Sequence, residues 1–395
     1  MLSCYTIYMF TVTFGGWYQR TTLHLSEIYD LFALGSSHLA LNKKKLGDLY
    51  RALDLKTITR EAGNLEFIKA TTKSGIEIRY YEDGLYILEK ESSNIKIAQK
   101  ELETYFEKAF NPAVAYIFSL GAPTPKILAN IKTVHPTVVS VSAEDPNAFR
   151  INATEFGEVY SSIASGSVVV HKLPHYIFVV ANGTAYAPLR DLVGMQIFFR
   201  EFKDQLEKYL NIHRSIWEEI SDIKERKSIR GNEVEPLRAR LDSYQKTISL
   251  ISNRINQMAS YIRTRSSVAK GLKIEDDLKV LFQFKFEVLT DTHDYIKELW
   301  KMTNEYLNSA IQNIVEIKNQ STSRGIQSLQ VITSIGVVSG IIGYFAKNEL
   351  PRITAFGVVY FAAIIAVAWL INFIISKIST TRRYTLKFSD RAKNL

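Results

Sequence analysis

The sequence predicts an α+β domain followed by long coiled-coil helices and a two-helix transmembrane hairpin. Three observations carry that expectation. Short strand-like and helix-like patterns alternate up to about residue 187. Two later stretches then place apolar residues in a strict alternation of four and three. Finally, no charge falls between Arg324 and Lys347, or between Arg352 and Lys377.

The first 187 residues read as a cytoplasmic α/β domain. Its opening stretch, MLSCYTIYMFTVTFGGWYQR, carries no charge before Arg20. It has no basic n-region, and its β-branched and aromatic residues suit a strand rather than a signal peptide. In GIEIRYYEDGLYILEK, Ile76, Ile78 and Tyr80 alternate ahead of an Asp83-Gly84 turn, which marks a hairpin. Ile95, Ala98, Leu102, Tyr105 and Ala109 follow a Ser-rich cap at helical spacing. Further strands are expected at 114–120, 137–142, 166–171 and 176–181.

Residues 188–268 read as an antiparallel helical arm. Its first seam includes Phe199, Phe202, Leu206, Tyr209 and Ile216; the second includes Leu241, Ile248, Ile255 and Ile262. A repeat of 3.5 residues keeps one stripe facing a partner helix. The intervening KERKSIRGNEVEP is short enough for the helices to fold back on each other. Residues 269–324 form a stalk helix, expected to start near Ile274 and to meet no breaker before Gly325. Its two apolar stripes, one through Tyr295 and Met302 and one through Ile296 and Trp300, imply more than one neighbour.

Each uncharged interval exceeds the roughly 20 residues that cross a hydrocarbon core. Residues 325–376 therefore read as two transmembrane helices with a short outer turn at 346–352, KNELPR, whose charges lipid would not tolerate. The tail, 377–395, has Lys377, Arg382, Arg383, Lys387, Arg391 and Lys393 against Asp390 alone, more than half of the net +9 of the 395-residue chain. By the positive-inside rule both termini are cytoplasmic, in a multi-pass cell-membrane protein with the lipid bilayer as a partner. No basic face on a folded domain marks a nucleic-acid partner. The single cysteine, Cys4, excludes an internal disulfide and fits a reducing compartment.

Asn319, Ser323, Gln327, Gln330 and Ser334 succeed one another at three- or four-residue steps. This polar stripe has to face protein or water. A pore lining and a polar helix–helix contact both meet that requirement. Gly336 and Gly340 allow close helix approach.

The stretch NEYLNSAIQNIVEIKNQSTSRGIQSLQVITSIGVVSGIIGYFAKNELP resembles the stalk, pore helix and outer turn of the CorA-type divalent-cation transporters. The layout of most of the chain resembles that family too, although the sequence-level match is confined to about 304–376. The resemblance implies a CorA-like homopentamer whose long helices line a central pore for divalent cations such as Mg²⁺. At the outer mouth the family carries Gly-Met-Asn; here Gly343 is followed by Tyr344 and Phe345. Phe345 offers no oxygen to a hard cation. The resemblance implies that Glu349, in the outer turn, attracts cations; lying between Lys347 and Arg352, it reads equally as a local ion pair. The alternative is a non-conducting, membrane-anchored coiled-coil scaffold or sensor on the same plan.

Other constellations are weaker. His171 and His175 are separated by Pro174, which breaks a helical metal pair. Asp291 and Asp294, flanking His293, read as a solvated acidic face, with a regulatory ion site as the family's alternative. No P-loop, dinucleotide fingerprint, zinc spacing or nucleophile elbow is present, so the chain is expected not to be an enzyme and to need no cofactor.

Overall fold

The computed structural model describes residues 8–19, 24–119, 135–183, 186–226 and 228–345, with scattered positions between 359 and 385. Two compact units result: Met1–Ile212 with Leu250–Glu298, and His213–Ser249 with Leu299–Leu395.

The first unit is built on a nine-stranded sheet. In chain order its elements begin with β1 (Phe10–Trp17), α1 (Leu25–Leu34), α2 (Lys43–Leu53), β2 (Leu55–Ala62), β3 (Glu66–Thr72), β4 (Glu77–Tyr81) and β5 (Leu85–Ser92). Next come α3 (Ile95–Tyr105), a π-turn at Phe106–Phe110, α4 (Asn111–Phe118), β6 (Thr137–Ser142), α5 (Ala153–Phe156), β7 (Ser161–Ser165), β8 (Val168–Lys172) and β9 (Tyr176–Ala181). The strand order is β2-β3-β4-β5-β1-β6-β9-β8-β7. Every pairing is antiparallel except β6 with β9.

The uncharged opening stretch thus supplies the central strand, with Val12 fully buried. Helices α1–α4 cover one face, where Phe32, Leu53, Leu102, Phe110 and Ile117 meet Val12, Ile78 and Leu88. On the other face lies the start of α6 (Tyr186–Glu225). There a Cβ at Gly15 would stand 3.1 Å from Ile197, and one at Gly194 3.1 Å from Ile87, so both glycines permit close helix–sheet approach. Trp17 stacks on Phe202 at 5.2 Å and meets Tyr261 edge-on at 5.8 Å. The Asp83-Gly84 turn joins β4 to β5. Gly84 has φ 88°, and a Cβ there would collide with the Tyr18 carbonyl oxygen.

After α6 come β10 (Ser228–Arg230), α7 (Gly231–Gly271), α8 (Glu275–Phe282), α9 (Phe286–Phe345) and β11 (Arg383–Thr385). Within the second unit, Ile216, Ile220 and Ile223 of α6, Leu241 and Ile248 of α7, and Trp300, Leu307 and Ile314 of α9 are all buried. Trp217 stacks on Tyr306 at 4.5 Å, Lys224 lies 3.6 Å from the same ring, and Arg240 pairs with Glu219 at 2.5 Å. β10 and β11 pair antiparallel, with Ile229 opposite Tyr384.

Three sequence expectations need correction. The first is the two-helix transmembrane hairpin, and with it the multi-pass membrane placement. Among the described residues no helix is long and apolar enough to cross a membrane. The first uncharged interval forms the end of α9, and it is interrupted by Gln327, Ser328, Gln330, Thr333, Ser334 and Ser339. An interval without charge is not thereby apolar. The outer turn at 346–352 lies outside the described residues, and most of the second interval does too.

The second correction is at 114–120, expected as a strand. Residues 111–118 are helical, continuing α3 through the π-turn with Pro112 in the first helical turn. The third is the stalk helix, which does not run unbroken from Ile274. It stops at Phe282, Gln283 turns left-handed with φ 60°, and α9 starts at Phe286.

Candidate functional site

The polar stripe lies on α9. Asn319, Ser323, Gln330 and Ser334 are exposed there, and so are Gly336 and Gly340. Among the described residues, nothing stands within 4 Å of a Cβ built at either glycine. Gln327 is helical, but its side chain lies outside the described residues. The same holds for Gly343, Tyr344 and Phe345, while Glu349 and Cys4 lie outside them altogether.

The exposed positions also follow a heptad. Met302, Ser309, Glu316, Ser323, Gln330 and Val337 are seven residues apart, and all are exposed, Met302 by 53% and Val337 by 56%. The buried side of the same helix carries Trp300, Leu307 and Ile314. These positions share one face of the helix, but only Met302 and Val337 are apolar, so the face has the spacing of a coiled-coil seam without its usual apolar composition.

The histidines and acidic residues singled out from sequence are not brought into a metal centre. His171 Nδ1 is 2.8 Å from Ser162 Oγ across β7 and β8. His293 is fully buried, 2.7 Å from the Ile255 carbonyl oxygen through Nε2 and 3.0 Å from Asp294 Oδ1 through Nδ1. Asp291 and Asp294 are exposed. Among the described residues no cluster of three His, Cys, Asp or Glu side chains is arranged to hold a metal ion.

A second candidate lies in the first unit, and the sequence reading missed it. Arg265, on α7, donates from Nε and Nη2 to the two carboxylate oxygens of Asp83 at 2.6 and 2.8 Å. Arg79, on β4, donates to Glu89 at 2.7 Å. Arg190, on α6, reaches Glu89 at 3.0 Å and Glu77 at 2.8 Å. Arg79, Asp83, Glu89 and Arg265 are all at least nine-tenths buried. Beside this network is a cavity of about 210 Å³. Arg79, Arg265 and Asp191 contribute its polar wall, and Phe67, Met195 and Val268 its apolar one. Burial pushes the Asp191 carboxyl above its ordinary value, against the pull of Arg79, Arg265 and Arg190. The Asp-Gly turn was the one part of this site that the sequence signalled.

No protein-family model matches the chain, and no curated protein matches it. Among solved structures, the complete structure of the CorA magnesium transporter from Methanocaldococcus jannaschii is similar with a TM-score of 0.26 at 11% identity. The likeness covers 61% of this chain and 89% of that one. The comparisons thus give a weak likeness to CorA and nothing finer, and a superposition this loose carries no argument about activity.

Proposed function

We propose that the chain is a self-associating helical protein on a CorA-like plan, in which copies meet along the open face of α9. The observation that supports this reading is the exposed heptad from Met302 to Val337, set on a helix whose other side is already packed. A ring of five copies, the number implied by the sequence resemblance, would turn Ser323, Gln330 and Ser334 toward one another as a polar path for divalent cations. Mass measurement in solution should return an oligomer, and Met302→Glu should lower its mass by placing like charges in the seam. A wild-type chain that stays monomeric at all concentrations sinks the proposal.

The finer reading, passage of divalent cations, is tested by Mg²⁺ uptake into vesicles reconstituted with the oligomer. Gln330→Lys should abolish uptake while the oligomer survives, because a ring of cations repels a divalent ion strongly where water is scarce. A second reading is a non-conducting scaffold. It is favoured by Tyr344 and Phe345, which put no side-chain oxygen donor other than the Tyr344 hydroxyl beside Gly343. An intact oligomer with background uptake would select it.

A further inference from the structure

The cavity in the first unit has an uneven charge balance. Three guanidinium groups, Arg79, Arg190 and Arg265, are matched by the carboxylates of Glu77, Glu89 and Asp83 through the contacts given above. Asp191 is the fourth carboxylate. It feels the three arginines through space but forms no hydrogen bond among the described residues. Its carboxylate lines the cavity, where a charge-assisted hydrogen bond from a bound group can take the place of water.

Two guanidinium donors are left without a hydrogen-bond partner among the described residues. Arg265 commits Nε and Nη2 to Asp83, which leaves its Nη1 over. Arg79 Nε is buried without a hydrogen-bond partner. The cavity wall thus joins an excess acceptor, Asp191, to a spare guanidinium donor, with Phe67, Met195 and Val268 forming an apolar floor. At about 210 Å³ the space is below the roughly 300–1,000 Å³ of sites that enclose a drug-sized ligand. A nucleotide is too large for it, and a bare metal ion would leave the apolar floor unused.

We propose that this cavity binds a free α-amino acid with an apolar side chain. Its ammonium group donates to Asp191, its carboxylate accepts from Nη1 of Arg265, and its side chain lies against Phe67, Met195 and Val268. The zwitterion brings no net charge, so the three closed ion pairs remain undisturbed. The proposal stands apart from the reading of α9 and does not depend on self-association.

The test is isothermal titration of the full-length protein with L-leucine, N-acetyl-L-leucine and L-leucinamide. L-leucine should bind, while N-acetyl-L-leucine, which lacks the ammonium, and leucinamide, which lacks the carboxylate, should bind at least about tenfold more weakly. A charge-assisted hydrogen bond is worth this much on the usual scale. Asp191→Asn should weaken L-leucine binding by about ten- to a hundredfold, and Val268→Trp, which fills the cavity, should abolish it. Circular dichroism confirms that each variant is folded; should either fail to fold, the other variant and the three ligands still decide. No heat from L-leucine with folded wild-type protein, equal binding of the acetylated probe, or unchanged affinity in Asp191→Asn overturns the proposal.

Discussion

Removing Arg265 tests the centre of the first unit. Its guanidinium is 5% exposed and the Asp83 carboxylate 3%, at distances of 2.6 and 2.8 Å. Arg265 also lies 4.8 Å from the Tyr81 ring centroid. In Arg265→Met the side-chain volume is roughly kept, but Asp83 is left as a buried charge without its cation. Breaking a buried pair from one side costs about 3–5 kcal/mol, far more than the pair contributes relative to an apolar replacement. That is a large share of the roughly 5–15 kcal/mol that holds a domain together. Asp83→Asn should hurt as well, although its amide oxygen can still accept from the Leu85 N–H, as Oδ1 does now at 3.2 Å. The double variant, with both charges gone, should recover about 1–3 kcal/mol relative to the sum of the singles. Since the chain has two units, global unfolding does not isolate the effect. Hydrogen exchange of the β4 and β5 amides reads the local free energy directly. A loss below about 1 kcal/mol in Arg265→Met, or strict additivity in the double variant, refutes the reasoning.

Two further outcomes follow from the same unit. His135 stands 3.4 Å from Glu201 and 4.0 Å from Asp204, yet burial, then Arg200 and Lys208, lowers its pKa to about 4. Asp204 pulls the other way without offsetting them. The folded state thus holds a neutral imidazole. Stability is full above the unfolded pKa of 6.5 and falls as pH drops from there toward 4, by up to about 3 kcal/mol. Denaturation midpoints at pH 7 and 4.5 should diverge in the wild type and converge in His135→Asn; an unchanged divergence removes His135 as the cause. Gly84→Ala should cost about 1–3 kcal/mol, from positive φ and the collision with Tyr18 together. A thermal midpoint equal to wild type would show that the turn relaxes freely.

What could be read from sequence depended on whether one face of an element was buried. Phe202, Leu206, Tyr209, Ile216 and Ile220 recur at helical spacing because one side of α6 is packed throughout, and each is buried as the pattern requires. The hairpin of β4 and β5 was legible for the same reason, together with its Asp-Gly turn. β2 escaped notice because it is an edge strand, mostly exposed on both faces, so no alternation appears. Residues 114–118 misled because a β-branched and aromatic run fits a buried helix as well as a strand. The break before α9 carries neither Gly nor Pro; Gln283 adopts the left-handed conformation without a local signal. The cavity was invisible for a different reason. Asp83 and Arg265 are 182 residues apart, and Asp191 belongs to a third segment. No spacing rule joins residues that only the sheet and its covering helices bring together.

The basic tail shows how a composition argument can misplace a charge. Arg383 was counted among the cations flanking lipid, yet Arg383–Thr385 is a strand paired with Ser228–Arg230. Electrostatics does not drive the pairing, since Arg230 sits directly opposite Arg383. Like charges across a strand pair cost about 0.2–1 kcal/mol. Ile229 and Tyr384, opposite each other and only 1% and 7% exposed, favour it by about 1.5–3 kcal/mol apiece. Apolar burial therefore outweighs charge repulsion. It draws a segment that is basic in composition onto the turn between α6 and α7. The sequence of this turn gives no strand signal, because its single apolar residue between Lys227 and Arg230, Ile229, is too short a pattern to mark one. Once that residue has a partner, Arg383 sits where strand pairing puts it, and its charge says nothing about which side of a membrane the tail occupies.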